Sequence, residues 1–344
     1  MTTLEKGGLM AAEIAEQPGR WRALLAGAGA ELDGVAAAVR AYDPHTVLLV
    51  ARGTSDHAAL YAKYLVEIRL GKPAGLVSPS TMTAYGARPD LRGVLMLAVS
   101  QSGGSPDLVR SVEVARAGGA LTVAVTNNAA SDLARAAQHH VDVLAGPERA
   151  VAATKSYTAQ LLALHQLLDR IAGGDGSAAA PLPDLADAVL ASGDAVAQLA
   201  TRYRFAQRMV TTGRGYSYPT AREAALKLME TAYVSAQAFS AADLLHGPLA
   251  MIDPQVPVLA VVADGIGGAA MAPVLPRLHE RGADVCIVGS RASGATIALP
   301  PGAPEELSPL LEILPFQLLA LHVAVDRGGD PDAPRGLNKI TETL

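Results

Sequence analysis

The sequence predicts an α/β protein of two tandem domains, each a parallel sheet covered by helices on both faces. Three observations point there. The chain has 344 residues, 50% of them hydrophobic, enough for more than one core and too apolar for a disordered chain. Short apolar runs of strand length alternate with longer stretches of helical period, as in a parallel sheet whose crossovers are helices. Three landmarks recur at nearly one spacing. Arg214-Gly215 follows Arg52-Gly53 by 162 residues, "VLAVVA" (258–263) answers "VLMLAV" (94–99), and "GADVCIV" (282–288) answers "GALTVAV" (119–125) at 163. One spacing shared by three landmarks implies a duplicated domain.

The elements follow in order. Residues 9–40 read as helical, broken at Pro18-Gly19. "TVLLVAR" (46–52) is apolar and β-branched and reads as the first strand. "DHAALYAKYLVEIRL" (56–70) reads as a helix, with a short strand near 74–78. Then come a strand at 93–99, a helix at 106–117, a strand at 121–126, a short strand near 141–144 and a helix at 154–171. The Pro/Gly-rich "AGGDGSAAAPLPD" (172–184) reads as a linker. The expected organisation is a helical segment 1–40, a first domain 41–172, a linker 173–184, a second domain 185–327 and a tail 328–344. The tail, "GGDPDAPRGLNKITETL", is polar, and such tails are usually disordered. Its one lysine, Lys339, reads by itself as a solvated charge.

Composition excludes several functions. The formal net charge is −5 with no Lys/Arg block, which argues against nucleic acid and against an anionic membrane surface. The single cysteine, Cys286, lies in the apolar run "DVCIVG". It has no partner for an internal disulfide and reads as a small buried hydrophobe, which suits a reducing cytoplasm. The first residues carry acids and no apolar h-region, so no signal peptide is expected. No uninterrupted apolar run approaches the length of a membrane span. "GAGAELDG" (27–34) follows a helical stretch and is not a dinucleotide fingerprint, and no GxxxxGK[ST] occurs. The histidines show no metal-ligand spacing, His139-His140 is expected in a surface loop, and nothing implies a metal or organic cofactor.

The stretch "SQSGGS" (100–105) stands at the carboxyl end of an apolar strand, where ligands bind in an open parallel sheet. It leads into a helix whose free N–H groups and dipole favour an anion. Its glycines permit close backbone approach. Ser100, Ser102 and Ser105 add hydroxyl donors, Ser105 is placed as N-cap, and Pro106 fits the first helical position. "RGTS" (52–55) ends the neighbouring strand in the same way, so Thr54 and Ser55 are expected to share a phosphate. The counterpart in the second half, "ADGIGG", lacks the hydroxyls, so the sheet itself does not require them.

In "GRGYSYPTAREAALKLMETAY" (213–233) a helix is expected from Pro219. Glu223, Lys227 and Glu230 then fall on one face. The pattern reads either as a solvated ion pair or as a carboxylate tuned for proton transfer. In "LLHGPLAMID" (244–253), His246 precedes the rigid Gly247-Pro248 turn and reads either as structural or as an acid/base group.

Together these residues resemble the sugar isomerase (SIS) domain family, and within it the isomerase half of the glucosamine–fructose-6-phosphate aminotransferases. The resemblance runs through "EIAEQP" (13–18), "RGTSDHA" (52–58), "SQSGGS" (100–105), "AVAATKSYTAQL" (150–161), residues 213–233, "LLHGPLAMID" and "DAPRGLNK" (332–339). It implies two tandem SIS domains, each a flavodoxin-like three-layer sandwich. It also implies roles by position. Thr54, Ser55, Ser100, Gln101, Ser102, Ser105 and Val151 fall at the sugar-phosphate site. Glu230 matches the carboxylate that moves a proton between C1 and C2, with Glu223 and Lys227 as its neighbours. His246 matches the ring-opening histidine supplied across a homodimer interface. Lys339 matches the lysine that meets the open-chain carbonyl, which turns the tail into a lid.

The chain departs from those aminotransferases at three points. Gly104 replaces a glutamate of the phosphate loop, Ser105 a threonine, and Ala153 a serine near the sugar. The chain is also expected to lack the glutaminase part and hence an internal ammonia source. The expected activity is therefore an amino-sugar 6-phosphate isomerase/deaminase, converting glucosamine 6-phosphate to fructose 6-phosphate and ammonia. A dehydratase of glucosamine 6-phosphate or its N-acetyl form would use the same base, and a sugar-phosphate sensor would use none.

Overall fold

The computed structural model describes residues 6–339, and the chain forms two compact units, each discontinuous in sequence. One contains Gly19–Glu148, Lys155–Ala180 and residues 338–339. The other contains residues 6–18, Arg149–Thr154 and Pro181–Leu337.

Three helices come first: α1 (Gly8–Ala15), α2 (Gln17–Gly27) and α3 (Gly29–Tyr42). The expected break at Pro18-Gly19 is absent. Both residues sit in the first turn of α2, where a proline's missing N–H has no helical partner to lose, and the chain turns at Glu16 and Ala28 instead. The first unit then runs β1 (Thr46–Val50), α4 (Thr54–Leu65), β2 (Ala74–Leu76), α5 (Pro79–Thr83), β3 (Val94–Ser100), α6 (Pro106–Ala117), β4 (Leu121–Thr126), α7 (Asp132–Ala136), β5 (His139–Asp142) and α8 (Lys155–Ile171). The helix expected over 56–70 is α-helical only to Leu65 and continues as a π-turn at Val66–Leu70. His139 and His140 lie in β5, paired with β4, rather than in a loop. Alternation was hidden there because His140 Nε2 bonds Thr126 Oγ1 at 2.9 Å, giving a polar residue a partner within the sheet.

The five strands are parallel, in the order β2-β1-β3-β4-β5. All seven residues of β3 are buried, as expected of a central strand with both faces covered. Val50, Met96, Ala98, Leu108, Val112 and Ala124 belong to the core between this sheet and its helices. On the other face α8 packs against α3 and α4.

The second unit continues with α9 (Leu182–Leu190), α10 (Gly193–Tyr203), β6 (Arg208–Gly213), α11 (Ser217–Ala232), β7 (Ser235–Ser240), α12 (Ala241–Leu245), β8 (Val258–Val262), α13 (Ile266–Ala269), α14 (Val274–Glu280), β9 (Val285–Gly289), β10 (Ile297–Ala298) and α15 (Ser308–Asp326). The first residues of α9 fall inside the stretch read as a linker, which also holds a short 3-10 turn at Ser177–Ala179. The sheet order is β10-β9-β8-β6-β7, again all parallel. Read from β7, it repeats the order of the first sheet. Cys286 in β9 is buried, and burial pushes its thiol up to about 11. By length and composition the segment Glu305–Asp326 could cross a membrane, but 83% of its apolar window is buried inside the protein. Its apolarity is that of a core helix, and α15 packs on α11 and α10.

The tail is not loose as far as it is described. Leu9 and Met10 donate their N–H groups to the Asp332 carboxylate at 2.9 and 2.8 Å, and Gly7 donates to Asp330 at 3.2 Å. These are free N–H groups of the first turn of α1, which the tail carboxylates satisfy. Arg335 donates its N–H to Tyr233 Oη at 2.8 Å, and its guanidinium lies over the Tyr233 ring. Residues 340–344 of the expected tail lie outside the described residues.

Candidate functional site

In a sheet of order 2-1-3-4-5, the chain leaves β1 and β3 on opposite sides. The crevice at their carboxyl ends is where such sheets bind ligands. In the first unit those two strands pair in register, Val50 opposite Ala98, and end in the two polar stretches, Arg52–Ser55 and Ser100–Ser105. Gly53 turns the chain with φ 54° into α4, which starts at Thr54. Ser55 is buried, and its Oγ accepts from Gln160 Nε2 of α8 at 3.0 Å, so the hydroxyl keeps its own hydrogen for another acceptor.

In the serine loop, Ser100 Oγ accepts from Gly103 N at 3.1 Å and Ser102 Oγ from Gly104 N at 3.3 Å. Gly103 is required. Its φ is +65°, and a Cβ there would lie 2.2 Å from Ser131 Oγ. Gly104 is exposed and would meet only Ser102 Oγ at 3.7 Å. Ser105 takes the N-cap position of α6 with extended backbone, but its side chain makes no cap bond. Asp107 bonds Leu108 N in the first turn instead, at 2.9 Å. The Ser105 hydroxyl is thereby left out of the helix. Gln101 and Ser102 are half-buried, and the Gln101 carbonyl ties the loop to Asn127 N at 3.1 Å.

The equivalent loop of the second unit is filled. Ile266 N and Gly267 N donate to the two oxygens of Glu305 at 2.9 and 2.6 Å. A side chain on Gly265 or Gly267 would collide with that carboxylate. The chain thus closes one of its two strand-end cradles with a carboxylate of its own.

The first unit holds a second polar group. Glu148, with a fully buried side chain, accepts from Ser156 N at 3.0 Å and from Ser156 Oγ at 2.6 Å, and Lys339 Nζ approaches it at 3.0 Å. Lys339 is therefore ion-paired and only a quarter exposed, not a solvated charge. Glu148 escaped the sequence reading because the pairing spans 191 residues.

The second unit carries the acid/base helix. It begins at Ser217 rather than Pro219, because Glu312 of α15 accepts from Ser217 Oγ at 2.8 Å and Thr220 Oγ1 at 2.9 Å. Burial raises the pKa of Glu312 against the hydroxyls that lower it. On α11, Lys227 Nζ lies 2.5 Å from Glu230 Oε2 and 3.3 Å from Glu223 Oε1. The side chains of Lys227 and Glu223 are fully buried, while that of Glu230 remains 23% exposed. Burial opposes the lysine's charge, but the two carboxylates outweigh it and hold its pKa above the ordinary value. The solvated-pair reading is thus excluded, since a buried cation clamps one accessible carboxylate. His246 is exposed at the C-cap of α12, ahead of Gly247 at φ 126°. Val151 is half-buried and donates its N–H to the Asp332 carbonyl at 3.4 Å.

A family model described as the SIS domain matches residues 41–170 and 203–327. The glutamine–fructose-6-phosphate aminotransferase (isomerizing) of Pyrococcus horikoshii is 37% identical over 351 residues, covering 97% of this chain and 58% of that protein. The chain thus spans little more than half the length of such curated relatives. A solved structure from Silicibacter pomeroyi, described as a candidate phosphosugar isomerase, is 36% identical with a TM-score of 0.84, covering 94% of this chain and 99% of that one. The C-terminal domain of glucosamine–fructose-6-phosphate aminotransferase from Francisella tularensis is 28% identical with a TM-score of 0.87, over 94% and 98%. A glucosamine-6-phosphate deaminase from Thermotoga maritima, 22% identical with a TM-score of 0.79 over 97% of this chain and 100% of that one, shares the fold.

Proposed function

This chain belongs to the SIS domain family, and from that premise we propose that it is a sugar-phosphate isomerase acting as a deaminase, converting glucosamine 6-phosphate and water to fructose 6-phosphate and ammonia. One observation carries the reading. Of the two carboxylates on α11, Glu230 alone is partly exposed, and the fully buried Lys227 holds it at 2.5 Å. That is a carboxylate held and oriented by a buried cation, as a general base must be.

In this reading the phosphate binds the hydroxyls of Thr54, Ser55, Ser100, Ser102 and Ser105, with Gln101 and Val151 beside the sugar. His246, reaching the site from the partner of a homodimer, opens the ring. Glu230 takes the C2 proton of the open-chain aldehyde and returns it to C1. The electron pair of the broken C2–H bond forms the enediol-like double bond and then the new C1–H bond, leaving an imine at C2. Lys339 polarises the C1 oxygen while charge develops there. Water adds to the imine, and its nitrogen leaves as ammonia.

The test is proton NMR of glucosamine 6-phosphate with the protein in D₂O, with ammonia assayed in parallel. Fructose 6-phosphate with ammonia is the expected product. Unsaturated sugar without ammonia would move the protein to the dehydratases. An unchanged spectrum, repeated with the N-acetyl sugar, would leave a sensor. Glu230→Gln should lower turnover by about 10²–10⁴-fold with phosphate affinity unchanged, and near-wild-type turnover would remove Glu230 from the mechanism.

A further inference from the structure

The cradle described above is made of hydroxyls and backbone N–H groups, with no lysine in either loop. A phosphate monoester is largely a dianion at neutral pH, and neutral donors alone select it weakly from a monoanion. Arg52 places a cation beside the cradle. Arg52 is the residue at which β1 gives way to the Gly53 turn, and the β1–β3 register places it level with the end of β3, where the serine loop begins. Its Nε donates to Asp107 Oδ2 at 2.7 Å, and Asp107 is the second residue of α6, just after the loop. Arg52 therefore spans from one phosphate-side turn to the helix start of the other.

The charge balance of this pair is uneven. The Asp107 side chain is 1% exposed, its Oδ1 accepts from Leu108 N, and it lies in the first turn of a 12-residue helix whose dipole already favours a negative charge. The Arg52 side chain is 49% exposed, and among the described residues its guanidinium bonds only through Nε. Its two Nη groups, with four hydrogens in a planar fork, are left over. The loop has an exposed glycine, Gly104, at its fifth position, with no Cβ contact closer than 3.7 Å. No acidic side chain there competes for the fork.

We propose that Arg52 is a substrate-binding residue that supplies the cationic fork for the phosphate dianion, with Asp107 as the positioning residue that aims it. The inference rests on the phosphate reading of the serine loop and deepens it. Arginine suits the task better than lysine, because one edge can be held by the carboxylate while the other meets two phosphate oxygens.

The experiment is calorimetric titration of the full chain with inorganic phosphate, at pH 6 and pH 8, for wild type, Arg52→Gln and Arg52→Lys. Wild type should bind more tightly at pH 8, where phosphate is the dianion. Arg52→Gln should weaken binding at pH 8 by about 10- to 100-fold, the range of a charge-assisted hydrogen bond, and flatten the pH dependence. Arg52→Lys should fall between. Thermal midpoints of all three should agree within about 2 °C, since the residue is half exposed. Unchanged affinity and pH dependence in Arg52→Gln would reduce Arg52 to a strut between β1 and α6. If phosphate binds in an Arg52-dependent manner but glucosamine 6-phosphate is not turned over, Arg52 stands and the deaminase reading falls. If wild type binds no phosphate, both fall.

Discussion

Glu148 and Lys339 show how unequal the two members of an ion pair can be. The lysine is a quarter exposed, whereas the carboxylate is fully buried and also takes two bonds from Ser156. Removing the lysine loses a partly screened contact, about 1 kcal/mol or less. Removing the carboxylate orphans buried donors, at about 1–3 kcal/mol. Lys339→Met should therefore leave the urea midpoint nearly unmoved while depressing turnover. Glu148→Ala should lower both, and equal midpoints for the two variants would contradict the asymmetry. Neither effect is legible in the sequence. Lys339 was found through a resemblance, and Glu148 is an ordinary acid in "AGPERA".

Among the elements, the serine loop separates conformational need from chemical choice. Gly103 has a left-handed φ and Ser131 against it, whereas Gly104 has neither. Gly103→Ala should cost roughly 2 kcal/mol or more, and Gly104→Ala less than about 0.5 kcal/mol. Thermal denaturation of the two single variants decides this, and a tolerated Gly103→Ala would mean the loop has another conformation. The strands were readable because central parallel strands bury both faces and so appear as unbroken apolar runs, as in "VLMLAVS". The start of α11 was misread by two residues because Glu312, 92 residues away from Thr220, supplies the hydrogen bonds there. The filled cradle of the second unit was unreadable for the same reason. "ADGIGG" shows only that hydroxyls are missing, and the carboxylate that replaces them comes from Glu305. Buried carboxylates bonded to distant N–H and O–H groups leave no periodic trace.

At the scale of the molecule, stability should fall in mild acid for an identifiable reason. His165 of α8 is buried, and Arg69 Nη1 lies 3.3 Å from its Nε2. Burial first, and the Arg69 charge next, hold its pKa down at about 4 against an ordinary 6.5. The unfolded chain therefore takes up a proton that the folded chain refuses as pH falls from 6.5 towards 4. Stability is lost across that window and is fully present above it. At about 1.4 kcal/mol per pKa unit the effect is on the order of 3.5 kcal/mol. His165→Gln keeps an acceptor for Arg69 and should flatten the stability curve between pH 6.5 and 4. A variant that loses stability as steeply as wild type would assign the acid sensitivity elsewhere.

The bonds from α1 to the tail also impose an order of events during synthesis. Glu13 accepts from the N–H groups of Arg149 and Ala150, and Met10 and Ile14 pack with Ala150 and Leu321. Gly7, Leu9 and Met10 wait for Asp330 and Asp332. A ribosome adding about 5–20 residues per second exposes this first helix, with its apolar face bare, for roughly 15 to 60 seconds before its last partners emerge. This segment is thus made long before it is buried, and a chaperone that meets this chain on the ribosome should be found on residues 6–18.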